Sequence, residues 1–170
     1  GLSITEVMDD RAPKFCAMIH TVPEGYRRCT MSDQRTTAFS IAQQKGVVCR
    51  CHAGLYDSAI PIQFKQHGMG AFITGQVLLE SPTEEDVDTI VKRVSDLGLD
   101  RDELIEAIRE IPVITKEKLT ATTEFMQILV DYIVKSLEEA ELSRREAEWR
   151  SLLRETEMKV IQSKLHPHFL

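Results

Sequence analysis

Cys49-Arg-Cys-His-Ala-Gly-Leu55 runs out of an apolar, β-prone segment into a glycine turn, and reading it as the end of a strand decides the fold. The same seven positions hold two of the four cysteines, a histidine and a glycine, a density of sulfur and imidazole that marks a site rather than a scaffold. Working outward, Val47 to Cys51, Asp57 to Lys65 and Gly70 to Leu79 are rich in Val, Ile and Phe and are separated by Gly-containing turns. They read as three strands of an antiparallel meander, with His67-Gly68 as the hairpin turn between the last two. Upstream, Leu2 to Val7 alternates apolar and polar side chains as a short strand does, and Lys14 to His20 and Gln34 to Gln44 read as short helices. Ser32 and Asp33 stand where the second helix needs an N-cap, so Asp33 is assigned to capping.

After Ser81-Pro82-Thr83 the periodicity changes. Val87, Ile90, Val91, Val94 and Leu97 form a helical apolar stripe closed by Gly98, and Asp100 opens a second helix that Pro112 stops. From Thr115 to about His166 there is neither Gly nor Pro, which gives one helix on the order of 75 Å long at about 1.5 Å per residue. One heptad register places Phe125, Ile128, Tyr132, Leu142, Trp149, Leu153 and Val160 at core positions, interrupted by Lys135, Glu139, Glu146, Thr156 and Ser163. Glu141/Arg145, Glu146/Arg150 and Glu155/Lys159 are four apart in the favourable order. Two readings of this helix stand side by side. It is a solvated helix kept soluble by mixed charge, or a parallel two-stranded coiled coil whose polar core positions hold two packings close in energy.

Composition narrows the function classes. The net charge of −6 offers no basic face, which argues against nucleic-acid binding. No apolar run approaches the length of about 18 residues that a membrane span needs, and no export signal opens the chain, so a cytoplasmic location is expected. The cysteines, Cys16, Cys29, Cys49 and Cys51, are then free thiols or metal ligands rather than disulfides. Their spacing matches no zinc ribbon or ferredoxin pattern. Cys51 and His52 are neighbours on a strand, so their side chains point to opposite faces and do not make a catalytic pair except through a turn. Gly54 and Gly75 suit backbone bends or a close approach to a ligand, and Gln76 can both donate to and accept from a hydroxyl-bearing one.

Six motifs in order carry a family resemblance: Phe15-Cys16, Arg28-Cys29, Ser32-Asp33, Cys51-His-Ala-Gly-Leu55, Pro61-Ile62 and Gly75-Gln-Val77. Residues 15 to 77 closely resemble the PocR sensory domain, and Cys49 lies outside that pattern. The resemblance implies an α+β, PAS-like antiparallel sheet with covering helices that senses small organic molecules such as diols. In such a fold Cys16, Cys29 and Cys51 gather with His52 on one side of the sheet. Three readings of that gathering are open. The thiols hold an iron–sulfur cluster or zinc, which would make a redox or gas sensor; they rim a ligand pocket with His52, Gly75 and Gln76; or they pack as small hydrophobes.

The terminal Val160-Ile-Gln-Ser-Lys-Leu-His-Pro-His-Phe-Leu170 resembles the phosphoacceptor box of LytS/YpdA-type sensor histidine kinases, with His166 where that family has Asn. The resemblance implies that His168 is the phosphorylated histidine. The chain then divides into a sensory domain over 1–113, a signalling helix over 114–165 and the start of the phosphoacceptor region at 166–170. Nothing after it binds ATP, so the expectation is a sensory fragment rather than an enzyme. It would pair with a second copy through the helix and act on a cognate response regulator through the full kinase.

Overall fold

The computed structural model describes residues 12–65 and 67–165, with side chains to 163. The predicted strand at Leu2 to Val7 and the terminal motif with His166 and His168 lie outside the described residues. Within them the fold is α+β, with a three-stranded antiparallel sheet, four helices and one very long C-terminal helix.

Helix α1 (Lys14–His20) is followed almost at once by α2 (Pro23–Gln43), which is twice the length that the sequence suggested. Val22 is extended and Pro23 takes the first helical position, where a missing N–H costs nothing. Gly25 does not break the helix. A Cβ there would sit 2.3 Å from the Ile19 carbonyl oxygen, so glycine is what lets α2 start against α1. Ser32 and Asp33 therefore fall in mid-helix, and the capping role assigned to Asp33 is corrected. The helix ends at Gln44, whose left-handed φ of 54° closes the last turn.

The sheet is a meander of β1 (Val47–Arg50), β2 (Tyr56–Phe64) and β3 (His67–Val77) in that order. Val47 pairs with Ala59 and Arg50 with Tyr56; across the second ladder Phe64 pairs with His67. The hairpin thus closes after Lys65, which takes a φ of 50°, and His67 and Gly68 are strand residues rather than the turn. Gly68 has a packing reason instead: a Cβ there would meet Ile41 Cγ2 at 2.6 Å, where α2 crosses the sheet. Helix α2 packs on both β2 and β3.

Past β3, Leu78 exchanges backbone hydrogen bonds with Pro112 and Ile114, tying the strand's end to the segment before the last helix. Between them lie α3 (Glu84–Val94), opened by a reciprocal Thr83/Asp86 cap, and α4 (Arg101–Arg109), opened by Asp100 accepting from the amides of Asp102 and Glu103. Gly98, at φ 71°, turns the chain between them. The apolar core joins Phe15 and Ile19 of α1, Ala53 and Leu55 of the glycine turn, and the inner faces of α3 and α4. Helix α5 (Lys116–Leu165) begins inside this compact unit, burying Leu119 and Thr123, and the unit runs to Asp131. From Tyr132 the helix forms a second unit of its own. Within that unit Glu141–Arg145, Glu146–Arg150 and Glu155–Lys159 make the ion pairs expected of them.

Candidate functional site

The turn after β1 organises the site. Cys51 donates its amide to the Leu55 carbonyl at 2.8 Å, and Gly54, at φ 109°, donates back to the Cys51 carbonyl at 3.1 Å. The chain reverses within four residues, and Cys51 and His52 leave the strand geometry that would send them to opposite faces. Cys16 from α1, Cys29 from α2 and Cys51 from this turn then lie half-buried against the rim of the core. Cys49 stays on β1, opposite Asp57 in the ladder, as a residue outside the family pattern.

The thiol partner of His52 is Cys29, not Cys51. Cys29 Sγ lies 3.1 Å from His52 Nε2. Arg28, the other half of the Arg-Cys motif, sets this contact by holding its stretch of α2 in place. Its guanidinium bonds Glu24 one turn back at 2.8 Å and forks onto Asp96 beyond α3, at 3.0 Å and through a second bond. Arg28 is a tether.

A carboxylate that the sequence analysis did not single out completes the cluster. Asp57 of β2 is 93% removed from solvent, and burial pushes its pKa up to about 7. The Gln76 amide, donating to Asp57 Oδ1 at 2.9 Å, opposes that rise, and the charge of Asp33 adds to it. The same burial, reinforced by Cys51, Asp57, Cys29 and Asp33, drives the Cys16 thiol far above the ordinary range. Cys51 is raised by burial and by Asp57, against three backbone amides of its own turn. Asp33 therefore faces the cluster from mid-helix. These are poor conditions for thiolates. Burial holds Cys16 and Cys51 as neutral thiols, and among the described residues no group of three or more His, Cys, Asp or Glu side chains is arranged to hold a metal ion.

Gly75 and Gln76 earn their place through the backbone. They form a bulge opposite the Tyr56–Asp57 step, with φ values of 131° and 59°. A Cβ at Gly75 would stand 2.8 Å from Asp57 Cα and from the Tyr56 carbonyl oxygen, so no larger residue fits. The bulge is what aims the Gln76 N–H at Asp57. Chemically, a carboxyl poised between its acid and its ion can both donate to and accept from a hydroxyl, in a setting of thiols and one imidazole. The sequence held only a partial signal for this: an Asp at the head of an apolar, β-prone run.

Ser58, next along β2, faces the other way. Its hydroxyl, fully buried, bonds the Thr123 hydroxyl of α5 at 2.7 Å. A separate recess of 640 Å³ lies between the end of α2, β1 and the opening turns of α5, and none of the four cysteines lines it.

A buried, bulge-positioned carboxyl is thus set among half-buried thiols, on a small α+β frame continued by a long helix. The profile of the sensory domain found in PocR matches residues 2–138, and the chain belongs to that family. The regulatory protein PocR of Salmonella typhimurium (strain LT2) is 28% identical over 122 residues, covering 71% of this chain. The aligned part is 39% of that relative, so the chain spans about two fifths of its length. No solved structure matches.

Proposed function

We propose that this chain is the ligand-sensing input domain of a two-component sensor histidine kinase, with a PAS-like fold and a small diol or alcohol as its signal. The ligand sits beside Asp57, with Cys51, His52, Gly75 and Gln76 around it. Asp57 carries this reading, since it is a buried carboxyl with a pKa near 7 whose one oxygen is fixed by the Gln76 amide. A second oxygen is left to meet a ligand hydroxyl, and the neighbouring thiols give a small organic molecule a weakly polar wall.

Two connections support a relay from this site. Asp57 is followed by Ser58, which holds Thr123 of α5, and the Gly75–Gln76 bulge leads within two residues to Leu78 and its bridge to Val113. Displacing the β2/β3 bulge by a ligand moves both attachments of α5. In this reading α5 pairs with a second copy as a parallel coiled coil through Phe125, Ile128, Tyr132, Leu142, Trp149, Leu153 and Val160. The coil biases the presentation of His168 as phosphoacceptor for a response regulator in the cytoplasm.

The test is a thermal-shift and calorimetric screen of ethanediol, propane-1,2-diol and glycerol on the full chain and on Asp57→Ala. Saturable stabilisation by at least one of these, lost in the variant, is the expected result. A response of the same size in Asp57→Ala, or none from any of them in the wild type, removes the proposal.

A further inference from the structure

Cys29 and His52 come from elements 23 positions apart, yet their reactive atoms lie 3.1 Å from each other. With the ring proton on Nδ1, Nε2 accepts the Cys29 S–H, the arrangement in which an imidazole activates a thiol. His52 is kept in the neutral, accepting form first by burial and then by Arg28 of α2, His20 of α1 and Arg93 of α3. The guanidinium groups of Arg28 and Arg93 favour a developing thiolate and an oxyanion beside it, against the negative charge that Asp33 brings to the thiol cluster. Both residues keep part of their surface open to solvent. Diol binding at Asp57 uses His52 only as pocket lining and needs neither a nucleophile nor a base, so it leaves the Cys29 contact unexplained.

We infer that Cys29 and His52 form a reversible covalent capture site for small aldehydes. The Cys29 sulfur forms a bond to the carbonyl carbon, and the π pair of the C=O bond moves onto its oxygen. The thiol proton passes through His52 Nε2 to that oxygen, leaving a neutral hemithioacetal. Reversal restores the free thiol and the aldehyde. No oxidant, reductant or metal enters the balance. The capture goes beyond the diol reading and stands or falls separately from it, since it is read at Cys29 and not at Asp57.

The experiment is iodoacetamide labelling of the full chain at neutral pH, with the rate at each cysteine followed by peptide mass mapping. Cys29 is expected to react at least about tenfold faster than Cys49, the half-buried thiol of β1 with no imidazole contact among the described residues, in keeping with the contribution of a positioned base. Preincubation with butanal protects Cys29, and dialysis restores its labelling. His52→Gln, with its melting temperature checked against the wild type, loses the lead of Cys29 over Cys49. Equal rates at Cys29 and Cys49, a lead that persists in a folded His52→Gln, or labelling unaffected by butanal each overturns the inference. The butanal result in the wild type decides the matter even if the variant does not fold.

Discussion

Helices α2 and α5 invert the usual expectation of what a helix hides. α2 buries Ser32, Thr36, Thr37 and Ser40, the last with no exposed surface at all. α5 leaves Tyr132 71% and Trp149 65% open. Two of these four hydroxyls are met by the helix's own backbone: Thr36 donates to the Ser32 carbonyl at 3.0 Å and Ser40 to the Thr37 carbonyl at 2.8 Å. Small side chains also let the helix lie close on the sheet, where Gly68 receives Ile41. α5 has the opposite problem. From Phe125 on, its apolar residues recur at heptad spacing and stand exposed among the described residues, the pattern that the proposed coiled coil would cover. The difference teaches that burial follows the surface on offer, not the polarity of the residue.

That contrast can be broken at several points. The largest effect is expected at the site that α2 covers. Native Asp57 has a pKa near 7 against an ordinary carboxyl value of 3.8, so the folded state holds the extra proton, and stability falls as pH rises between these values and is flat above. Asp57→Asn keeps the acceptor for the Gln76 amide and removes the penalty. It is expected to gain on the order of 2–4 kcal/mol relative to wild type at about pH 8 and little at about pH 4, by urea denaturation. An equal gain at both pH values would detach Asp57 from the buried cluster.

Ser40→Leu tests the tight side of the comparison, with a loss of about 1–3 kcal/mol from overpacking against the sheet. On the open side, Trp149→Glu with Leu153→Glu should leave the melting of residues up to Asp131 unchanged while converting dimer to monomer in sedimentation equilibrium. A wild type that is monomeric across the micromolar range would end the coiled-coil reading. Thr123→Val strands the buried Ser58 hydroxyl and is expected to cost about 1–3 kcal/mol. The same variant should also weaken any ligand-dependent change in α5, read by hydrogen exchange at its first turns. Smallest of all, Glu155→Gln removes one exposed helical ion pair and should lower stability by only about 0.2–0.5 kcal/mol, an effect that added salt erases in the wild type.

Local signals carried much of the architecture. Strand and helix periods, the Asp100 helix start and the Gly98 turn depend on residues a few positions apart, so the meander, α3, α4 and the long α5 were all legible in the chain itself. The errors fall where a distant neighbour overruled a local rule. The start of α2 is set by the close approach of Gly25 to Ile19, and Gly68 reads as a turn until Ile41 occupies the space of its side chain. Starting α2 at Gln34 halved it and cast Asp33 as a cap.

For the site, the chain itself named the cysteines, His52 and the Gly75–Gln76 pair, since their residue types and order are unusual wherever they end up in space. Which thiol meets the imidazole, and that Asp57 lies at the centre, only the tertiary structure decided. Pairing of Cys29 with His52 depends on α2 being tethered through Arg28 to Asp96. The role of Asp57 depends on burial, a property of everything packed around a residue rather than of the residue itself.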